Sequence, residues 1–190
     1  LDFINRPEII IVDNGSTDDS LEVVNLFIDR TDIKTINISH YTPGKSINLG
    51  VKECSRDLVI VLSAHSQITN LNIKKLFTDT EKYVGVFGKQ IPIYRGKKIT
   101  RRYIWSNFRD TDQENLFSKT ENRLFFHNAF SFFKTENIKK FPMPENFSSK
   151  EDRYWAKDLV QMHEKKFLYC QDYTCNHYWT KNGATWKGIG

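Results

Sequence analysis

Short apolar runs alternate with longer amphipathic stretches in the first half of the chain. Glu8 to Val12 and Leu58 to Leu62 are β-branched or aliphatic runs, which are typical of buried strands. Weaker signals predict the remaining elements: strands at Lys34–Ile38 and Tyr83–Phe87, and helices around Leu21–Ile28, Ser46–Cys54 and Leu71–Lys82. This order predicts an α/β fold with a mainly parallel sheet flanked by helices. Ligands bind such sheets at the carboxyl ends of the strands, here residues 13–18, 39–46 and 63–67.

The second half of the chain is less regular. Residues 101–123 are polar, with scattered aromatic side chains and no clear period. Lys150 to His163 is the clearest helix there, because Trp155, Ala156 and Leu159 fall on one face. The length of 190 residues and the apolar fraction of 39% fit one domain with a substantial core.

Composition narrows the class of protein. The aromatic residues (14 Phe, 8 Tyr and 4 Trp) are too many for a disordered polymer. The longest aliphatic run is far shorter than the roughly 20 residues that span a bilayer. Cys54, Cys170 and Cys175 are an odd set without CxxC spacing, which argues against a disulfide framework and a structural zinc site. We therefore predict a soluble domain from a reducing, cytoplasmic compartment.

The net charge of +5 is unevenly distributed along the chain. Residues 89–109 contain no acidic side chain but seven basic ones: Lys89, Arg95, Lys97, Lys98, Arg101, Arg102 and Arg109. Two interpretations stay open, a solvated loop or a patch that binds diphosphates or the anionic surface of a membrane. No repeated basic and aromatic pattern accompanies this charge, so we do not expect nucleic acid as a partner.

Gly44-Lys45-Ser46 lies between a predicted strand and a predicted helix, as the end of a Walker A motif does. The first glycine of that motif is replaced by Ser39, and the next strand ends in Ser63 instead of a magnesium-binding aspartate. We therefore do not expect a P-loop nucleotidase. The simpler interpretation is a turn before a helix whose N-terminus is suited to a phosphate.

Asp13 closes the first apolar strand, where a carboxylate costs free energy unless a hydrogen-bond donor meets it. Ser16 and Asp19 have the spacing of a capping box, and Asp18 favours the positive end of the helix dipole. Because acids at a helix start would repel a phosphate, we expect Asp13 to meet a base or a sugar.

Glu151 and Asp152 open the predicted helix of the second half. Ser148 and Glu151 have the spacing of a capping box, and acids in a first turn suit the helix dipole, so a purely structural role stays open. Asp152 begins the inward face that continues with Trp155 and Ala156. Glu151 belongs to a more polar face. A carboxylate that faces inward at a helix start is a candidate general base.

Two histidines are candidate metal ligands, one after a predicted strand and one near the end of the chain. His65 comes directly after the third strand, and His177 lies between Cys175 and Trp179. A lone histidine is more often structural, but two histidines near the same strand ends can share a metal ion.

Four segments, in order, resemble motifs of the family 2 glycosyltransferases, which have a Rossmann-like A-type glycosyltransferase fold. Glu8 to Ser20 (EIIIVDNGSTDDS) resembles the second-strand motif, and Gly44 to Gly50 (GKSINLG) resembles the glycine–asparagine helix start. Leu58 to His65 (LVIVLSAH) occupies the place of the strand that ends in the Asp-x-Asp motif. Glu151-Asp152 with Trp155 resembles the acidic motif that carries the base. The match covers most of the chain.

Two departures from the family pattern bear on function. Ser63-Ala64-His65 replaces Asp-x-Asp, which removes the carboxylates that usually serve the ribose and the metal. His65 stands where the metal-binding acid would be, and imidazole also binds manganese. The family's first strand and helix have no counterpart before the first motif. We therefore expect that residue 1 is not the native N-terminus, or that part of the protein lies outside this sequence.

The resemblance implies an inverting transferase that moves a sugar from a nucleotide-sugar donor to a glycan or lipid-linked acceptor, as in the synthesis of bacterial surface polysaccharides. It implies one catalytic domain, with the nucleotide sugar bound by residues 1–88 and the acceptor by residues 89–190, which also carry catalysis. The implied roles are these: Asp152 as the base; Asp13, Asn14, Asp18, Lys45, Asn48 and Ser63 at the nucleotide; Asn128, Glu151 and Trp155 at the acceptor, bordered by Phe130–Phe133; and His65 and His177 at a divalent manganese or magnesium ion. The basic segment would hold a lipid-diphosphate acceptor at the inner face of the cell membrane.

Two other classes of protein stay open at this point. Without Asp-x-Asp, the domain is alternatively a degenerate module that binds a nucleotide or a glycan without turnover. The inward-facing Asp152 argues against that alternative. A basic domain that binds nucleic acid would show a strongly salt-dependent affinity for oligonucleotides.

Overall fold

The computed structural model describes residues 7–29, 32–99, 103–181 and 186 of the chain. These residues form eleven strands, five α-helices and a short 3₁₀ helix. The helices are α1 (Ser20–Asn25), α2 (Pro43–Glu53), α3 (Ile73–Lys82), α4 (Thr135–Lys140) and α5 (Glu151–His163), and the 3₁₀ helix is Tyr103–Asn107. The strands are β1 (Glu8–Asp13), β2 (Asp32–Asn37), β3 (Leu58–Leu62), β4 (Ser66–Asn70), β5 (Gly85–Tyr94), β6 (Lys97–Lys98), β7 (Gln113–Glu114), β8 (Phe117–Ser118), β9 (Arg123–Leu124), β10 (Phe130–Lys134) and β11 (Phe167–Tyr178).

The chain divides into two compact units. The first contains the residues up to Val59 together with Thr135–Glu151, and the second contains Ile60–Lys134 and the chain from Asp152 onward. The boundary predicted at residue 88 falls inside β5, a central strand of the sheet in the second unit. A boundary there would cut the sheet, and the assignment of the whole chain to one domain stays a prediction.

The first unit contains a parallel pair of strands, in which Glu8 of β1 lies opposite Asp32 of β2. Helix α1 ends at Asn25, earlier than the predicted helix, because Leu26 and Phe27 donate to carbonyls only three residues back and the chain turns. No residue of α1 is buried, so the apolar face predicted for this helix packs only in part.

The second unit contains a seven-stranded mixed sheet, counted over the described residues. Its main path runs β3-β10-β5-β11-β4, with β6 paired to β5 and β7 paired to β11. The pair β5–β11 is parallel, whereas β10–β5 and β11–β4 are antiparallel. The α/β class is confirmed, and the sheet is mixed because β4 and β10 enter it against the direction of their neighbours.

Aromatic rings fill the core of the second unit. Phe126 lies between Phe87 and Phe167, with ring centroids 5.1 and 4.9 Å away. Glycine leaves room for these rings, because a Cβ on Gly88 would lie 2.6 Å from the Cδ1 atom of the Phe130 ring. Phe130–Phe133 are the fully buried residues of strand β10. The prediction that this stretch borders an acceptor is therefore wrong, because its side chains have no exposed surface.

Strand β11 carries an irregularity that sets the direction of its last side chains. Cys170 pairs with Gly88, but Thr174 already pairs with Lys89, so residues 171–173 form a bulge. Beyond the bulge the alternation is regular, and Tyr173, Cys175 and His177 are buried on the same face. The bulge therefore determines that His177 points into the protein.

Candidate active site

The Asp13 carboxylate organises the loop after β1 in the first unit. It accepts hydrogen bonds from the Gly15 amide at 2.9 Å, the Ser16 amide at 3.1 Å and the Ser16 hydroxyl at 2.5 Å. These bonds, the hydroxyl of Ser16 first, hold the pKa of Asp13 below its usual value. The donors that a buried acid needs thus come from its own loop, and a contact to a base stays a prediction.

The residues that follow Asp13 differ from the predicted capping box. Helix α1 begins at Ser20, and the Asp19 side chain makes no capping hydrogen bond. Because the Ser16 hydroxyl is bonded to Asp13, the predicted pairing of Ser16 with Asp19 is wrong. Asp18 instead accepts from the Ser20 amide at 3.1 Å, and Asn14 is exposed.

The start of helix α2 is closely packed within the first unit. A Cβ on Gly44 would lie 2.1 Å from the carbonyl oxygen of Pro144. Asn48 holds the same loop, donating to the Met143 carbonyl at 2.8 Å and accepting from the Met143 amide at 2.9 Å. Lys45 donates to the Ser39 carbonyl at 2.9 Å. Roles of Lys45 and Asn48 at a nucleotide stay predictions, and the bonds of Asn48 support a structural role.

In the second unit, Ser63-Ala64-His65 forms the turn between β3 and β4. The Ser63 amide donates to the Ala129 carbonyl at 3.0 Å, and the Ser66 amide donates to the Ser63 carbonyl at 2.9 Å. The His65 carbonyl accepts from the Tyr178 amide at 2.8 Å, which ties the turn to the end of β11. The turn is therefore held by backbone bonds, and its side chains are not needed to form it.

The structure brings His65 and His177 together, as the sequence predicts. Their ring centroids are 4.5 Å apart, and His177 is 1% exposed. Burial lowers the pKa of His65 and lowers that of His177 to about 2, so both rings are neutral at physiological pH. The Nε2 atom of His177 is buried and has no hydrogen-bond partner in the part of the chain that the structure describes. An unpaired buried polar atom costs about 1–3 kcal/mol, which makes this nitrogen a candidate ligand atom.

A buried pair, Gln90 and His127, lies beside His177 and carries no signal in the sequence. Gln90 is bonded to His177 Nδ1 at 2.8 Å and to His127 Nδ1 at 2.9 Å. Burial lowers the pKa of His127 to about 3. The sequence indicates His127 only as a packing or surface residue, and Gln90 belongs to no motif; only the sheet brings them together.

Asp152 is 7% exposed at the start of α5 in the second unit. Its carboxylate accepts from the Asn128 amide at 3.2 Å and from the Arg153 amide at 2.8 Å. Burial raises the pKa of Asp152, and the nearby Arg153 and Arg123 guanidinium groups oppose that rise. A carboxylate whose pKa is raised accepts a proton more readily, so Asp152 has the properties of a general base.

Glu151 is buried as well, although the sequence predicts a more polar face for it. In the first unit its carboxylate adds to the effect of burial in raising the pKa of Tyr41. Helix α5 begins at Glu151, directly after Lys150 with φ of 68°. The capping box predicted for Ser148 is therefore wrong, because Ser148 lies too far before the first helical residue.

Trp155 lies in the aromatic core and is 5% exposed. Its ring centroid is 5.8 Å from Phe126, 5.7 Å from Phe133 and 5.5 Å from Phe167. This position does not support the predicted contact with an acceptor, because little of the ring is left to touch one. The apolar face of α5 has instead the ordinary role of packing the helix on the sheet.

The family comparison decides the identity of the fold. A model of the glycosyl transferase family 2 matches residues 3–141. The chain belongs to this family. The resemblance to the family is thereby confirmed, and the match contains the first three segments that carry it, whereas Glu151-Asp152 with Trp155 lies beyond the matched residues and its role stays a prediction. A search of curated proteins found no significant match.

Solved glycosyltransferases share this fold at low sequence identity. S. aureus TarS 1-349 in complex with UDP-GlcNAc has a TM-score of 0.68 and 17% identity over 96% of this chain and 52% of that chain. TarS 1-349 in complex with UDP has a TM-score of 0.65 and 18% identity over 91% and 51% of the two chains. GalNAc-T7 with UDP, GalNAc and Mn2+ has a TM-score of 0.66 and 12% identity over 93% and 38%. The chain thus spans about half the length of the TarS chains it matches.

Two further observations concern metal binding and membrane spanning. Within the described parts of the chain, no group of three or more His, Cys, Asp or Glu side chains is arranged to hold a metal ion. The same residues include no helix with the length and hydropathy to cross a bilayer.

Proposed function

We propose that the chain is the core of an inverting glycosyltransferase that moves a sugar from a UDP-linked donor to a hydroxyl group of a glycan or lipid-linked acceptor. The observation that carries the proposal is the buried Asp152 carboxylate with its raised pKa. Family membership supports sugar transfer, and the UDP and UDP-GlcNAc in the TarS complexes support the choice of donor.

Asp152 is the proposed base of this reaction. The acceptor oxygen forms a bond to the anomeric carbon from the face opposite the diphosphate, and the bond from that carbon to the diphosphate oxygen breaks. The hydroxyl proton passes to Asp152, and UDP leaves with the electron pair. The backbone amides of Asn128 and Arg153 donate hydrogen bonds to the carboxylate, which orients it for the proton transfer.

The diphosphate leaving group is the proposed partner of His65 and His177. The unpaired Nε2 atom of His177 fits a divalent cation, and two neutral imidazoles suit manganese better than magnesium. A bound cation would neutralise charge on the departing diphosphate, and its other ligands would be diphosphate oxygens and water. Two protein ligands instead of a carboxylate pair make a weak site, which fits a cation that arrives with the donor.

Nucleotide contacts are proposed for the first unit. The loop of Asp13, with Asn14 and Asp18 beside it, offers acceptors to the single ring N–H group of a nucleotide uracil or to ribose hydroxyls. The Lys45 ammonium group is the proposed contact of a phosphate, in addition to its bond to the Ser39 carbonyl. The Ser63 hydroxyl is a further proposed contact of the nucleotide. The role proposed for Asn48 is indirect, because its amide holds residues 143–145.

The acceptor is proposed to carry a diphosphate or to lie on an anionic surface. Arg95, Lys97 and Lys98 are exposed around the β5–β6 turn. Lys89 is paired with Asp110, whereas Arg101 and Arg102 lie outside the described residues. Asn128 and Glu151 are the proposed contacts of the reacting sugar because they flank Asp152.

A degenerate module that binds a nucleotide without turnover is the second candidate. The observation in its favour is the turn Ser63-Ala64-His65 in place of Asp-x-Asp, together with the lack of a three-residue ligand group among the described residues. The two candidates share nucleotide binding and differ in the release of UDP.

The deciding experiment measures UDP release by the full-length protein from UDP-GlcNAc and related UDP-sugars, with manganese and with EDTA. Calorimetry with UDP, dTDP and GDP runs beside it. Release of UDP that depends on manganese supports the transferase with a metal, and release that survives EDTA removes the metal from the proposal. Tight binding of UDP without release from any donor or acceptor fraction would favour the degenerate module.

A further inference from the structure

Three buried side chains of the second unit are joined in a row by hydrogen bonds, from the backbone amide of Ala129 to the ring of His177. The first is His127, which lies just before β10. The second is Gln90 on β5, and the third is His177 on β11. Gln90 is 2% exposed and touches both histidines. The row matters because the donor and acceptor of each hydrogen bond determine which atom donates in the next one.

The direction of the row is set at Ala129. The Ala129 amide donates to His127 Nδ1 at 3.2 Å, and a backbone amide has only a hydrogen to offer. His127 Nδ1 therefore carries a lone pair, and the ring proton sits on Nε2.

The orientation of the Gln90 amide follows from His127. Because His127 Nδ1 is an acceptor, the atom of Gln90 that lies 2.9 Å from it is the NH₂ group. The carbonyl oxygen of Gln90 then faces His177 Nδ1 at 2.8 Å. With the amide turned around, an oxygen would face the lone pair of His127, so the reverse arrangement is disfavoured.

The protonation of His177 is thereby determined. The Gln90 oxygen only accepts, so His177 Nδ1 carries the proton and Nε2 carries a lone pair. That Nε2 atom is buried and meets no hydrogen-bond partner among the described residues; its ring lies beside His65 and packs on Trp105 at 5.5 Å and on Trp186 at 5.8 Å. Metal-binding histidines need this arrangement, with one nitrogen held by a partner and the other open.

We propose that Gln90 is a positioning residue that holds His177 in the Nδ1–H tautomer and keeps its Nε2 lone pair open to a divalent cation. The assignment of a cation to His177 rests on the proposed function, whereas the tautomer does not. A glutamine is required because the residue must donate on one side and accept on the other. Leucine or methionine would do neither.

The test uses the full-length protein labelled with ¹⁵N-histidine. Long-range ¹H–¹⁵N correlation spectra report which ring nitrogen of each histidine carries the proton, and a His177→Ala variant assigns the signal. We expect the Nδ1–H tautomer for His177 in the wild type. In Gln90→Met we expect this preference to be lost. In Gln90→Glu an oxygen still faces His177, so we expect the His177 tautomer to be kept although the donor to His127 is lost. Gln161→Met, on the exposed side of α5, is the control.

Two results would overturn the positioning role: an Nε2–H tautomer of His177 in the wild type, or an unchanged tautomer in Gln90→Met. The wild-type spectrum decides even if Gln90→Met fails to fold. Manganese affinity, measured by electron paramagnetic resonance, gives the second readout, and we expect Gln90→Met to weaken it by about 10–100-fold. The Nδ1–H tautomer in a protein that binds no manganese would support the role of Gln90 and refute the cation site.

Discussion

Asp13 in the first unit and His177 in the second are both buried polar residues near a strand end, and they are satisfied in opposite ways. Every hydrogen bond of the Asp13 carboxylate comes from within three residues of it. His177 depends on Gln90, 87 positions away in the chain, and its Nε2 atom meets no partner among the described residues. A carboxylate bonded within its own loop shapes that loop, whereas a buried nitrogen without a partner costs stability, and this cost is what the proposed ligand would remove.

The strongest test of the comparison is Asp152→Asn in the second unit. Loss of the proton acceptor should lower kcat by about 10²–10⁴-fold, while the affinity for UDP stays unchanged. Asp158→Asn, an exposed change on the same helix, should keep wild-type turnover. Steady-state assays and calorimetry measure the two quantities. Turnover near the wild-type value in Asp152→Asn would remove this residue as the base.

The second test separates stability from activity at His177. His177→Phe keeps an aromatic ring of similar shape and removes both ring nitrogens. Loss of the unpaired Nε2 relieves one buried polar atom, whereas loss of Nδ1 leaves the Gln90 oxygen without its donor, so the two effects oppose each other and Tm should change little. Transfer should drop by about 10²-fold, because the leaving group loses its electrophile. His163→Phe at the exposed end of α5 serves as the control. A lower Tm together with full activity would mean that His177 is only a packing residue.

The third test concerns the first unit. Asp13→Ala removes both the loop acceptor and the proposed contact to the base, and the affinity for UDP should fall about tenfold. Ser16→Ala loosens the loop and leaves the carboxylate, so its effect should be smaller. Calorimetric titration with UDP measures both variants. Equal affinities in wild type and Asp13→Ala would confine Asp13 to the loop.

The smallest expected effect is the dependence of stability on pH at Asp13. Because hydrogen bonds from Ser16 and Gly15 lower its pKa in the folded state, the carboxylate stabilises the fold above its unfolded pKa of about 3.9. That contribution is lost as the pH falls through the lower, folded pKa. Urea unfolding of wild type and Asp13→Asn from pH 7 to pH 3 should show a difference that shrinks in acid. A constant difference would contradict the assignment.

The parts of the fold that the sequence predicts are those encoded by local pattern. The isoleucine-rich run of β1 and the aliphatic run of β3 predict their strands without help from distant residues. Strand β4 is missed because Ser66–Asn70 is mostly polar and largely exposed, so its pairing with β11 decides its conformation. The aromatic run of β10 is misread as a binding surface because burial on both faces depends on the whole sheet.

The residues of the candidate site also divide into those that the sequence indicates and those that only the pairing of distant strands brings into place. Asp152 and His65 belong to segments that resemble family motifs, His177 is selected as a second histidine that can share a metal ion, and the structure brings His65 and His177 together. Gln90 escapes a reading of the sequence because nothing near it distinguishes it from any polar residue in a strand. Its importance arises from a parallel register that joins β5 to β11, and register is a property of the pair of strands.

The bulge at residues 171–173 separates the length of the chain from the direction of the side chains that follow it. Residues beyond the bulge take their direction from the pairing with β5, in which His177 lies opposite Pro92. An insertion within the bulge would therefore leave the direction of His177 unchanged. An insertion of one residue between the bulge and His177 would turn its side chain to the opposite face, because side chains alternate along a strand. Natural changes of length are thus expected inside the bulge and not after it.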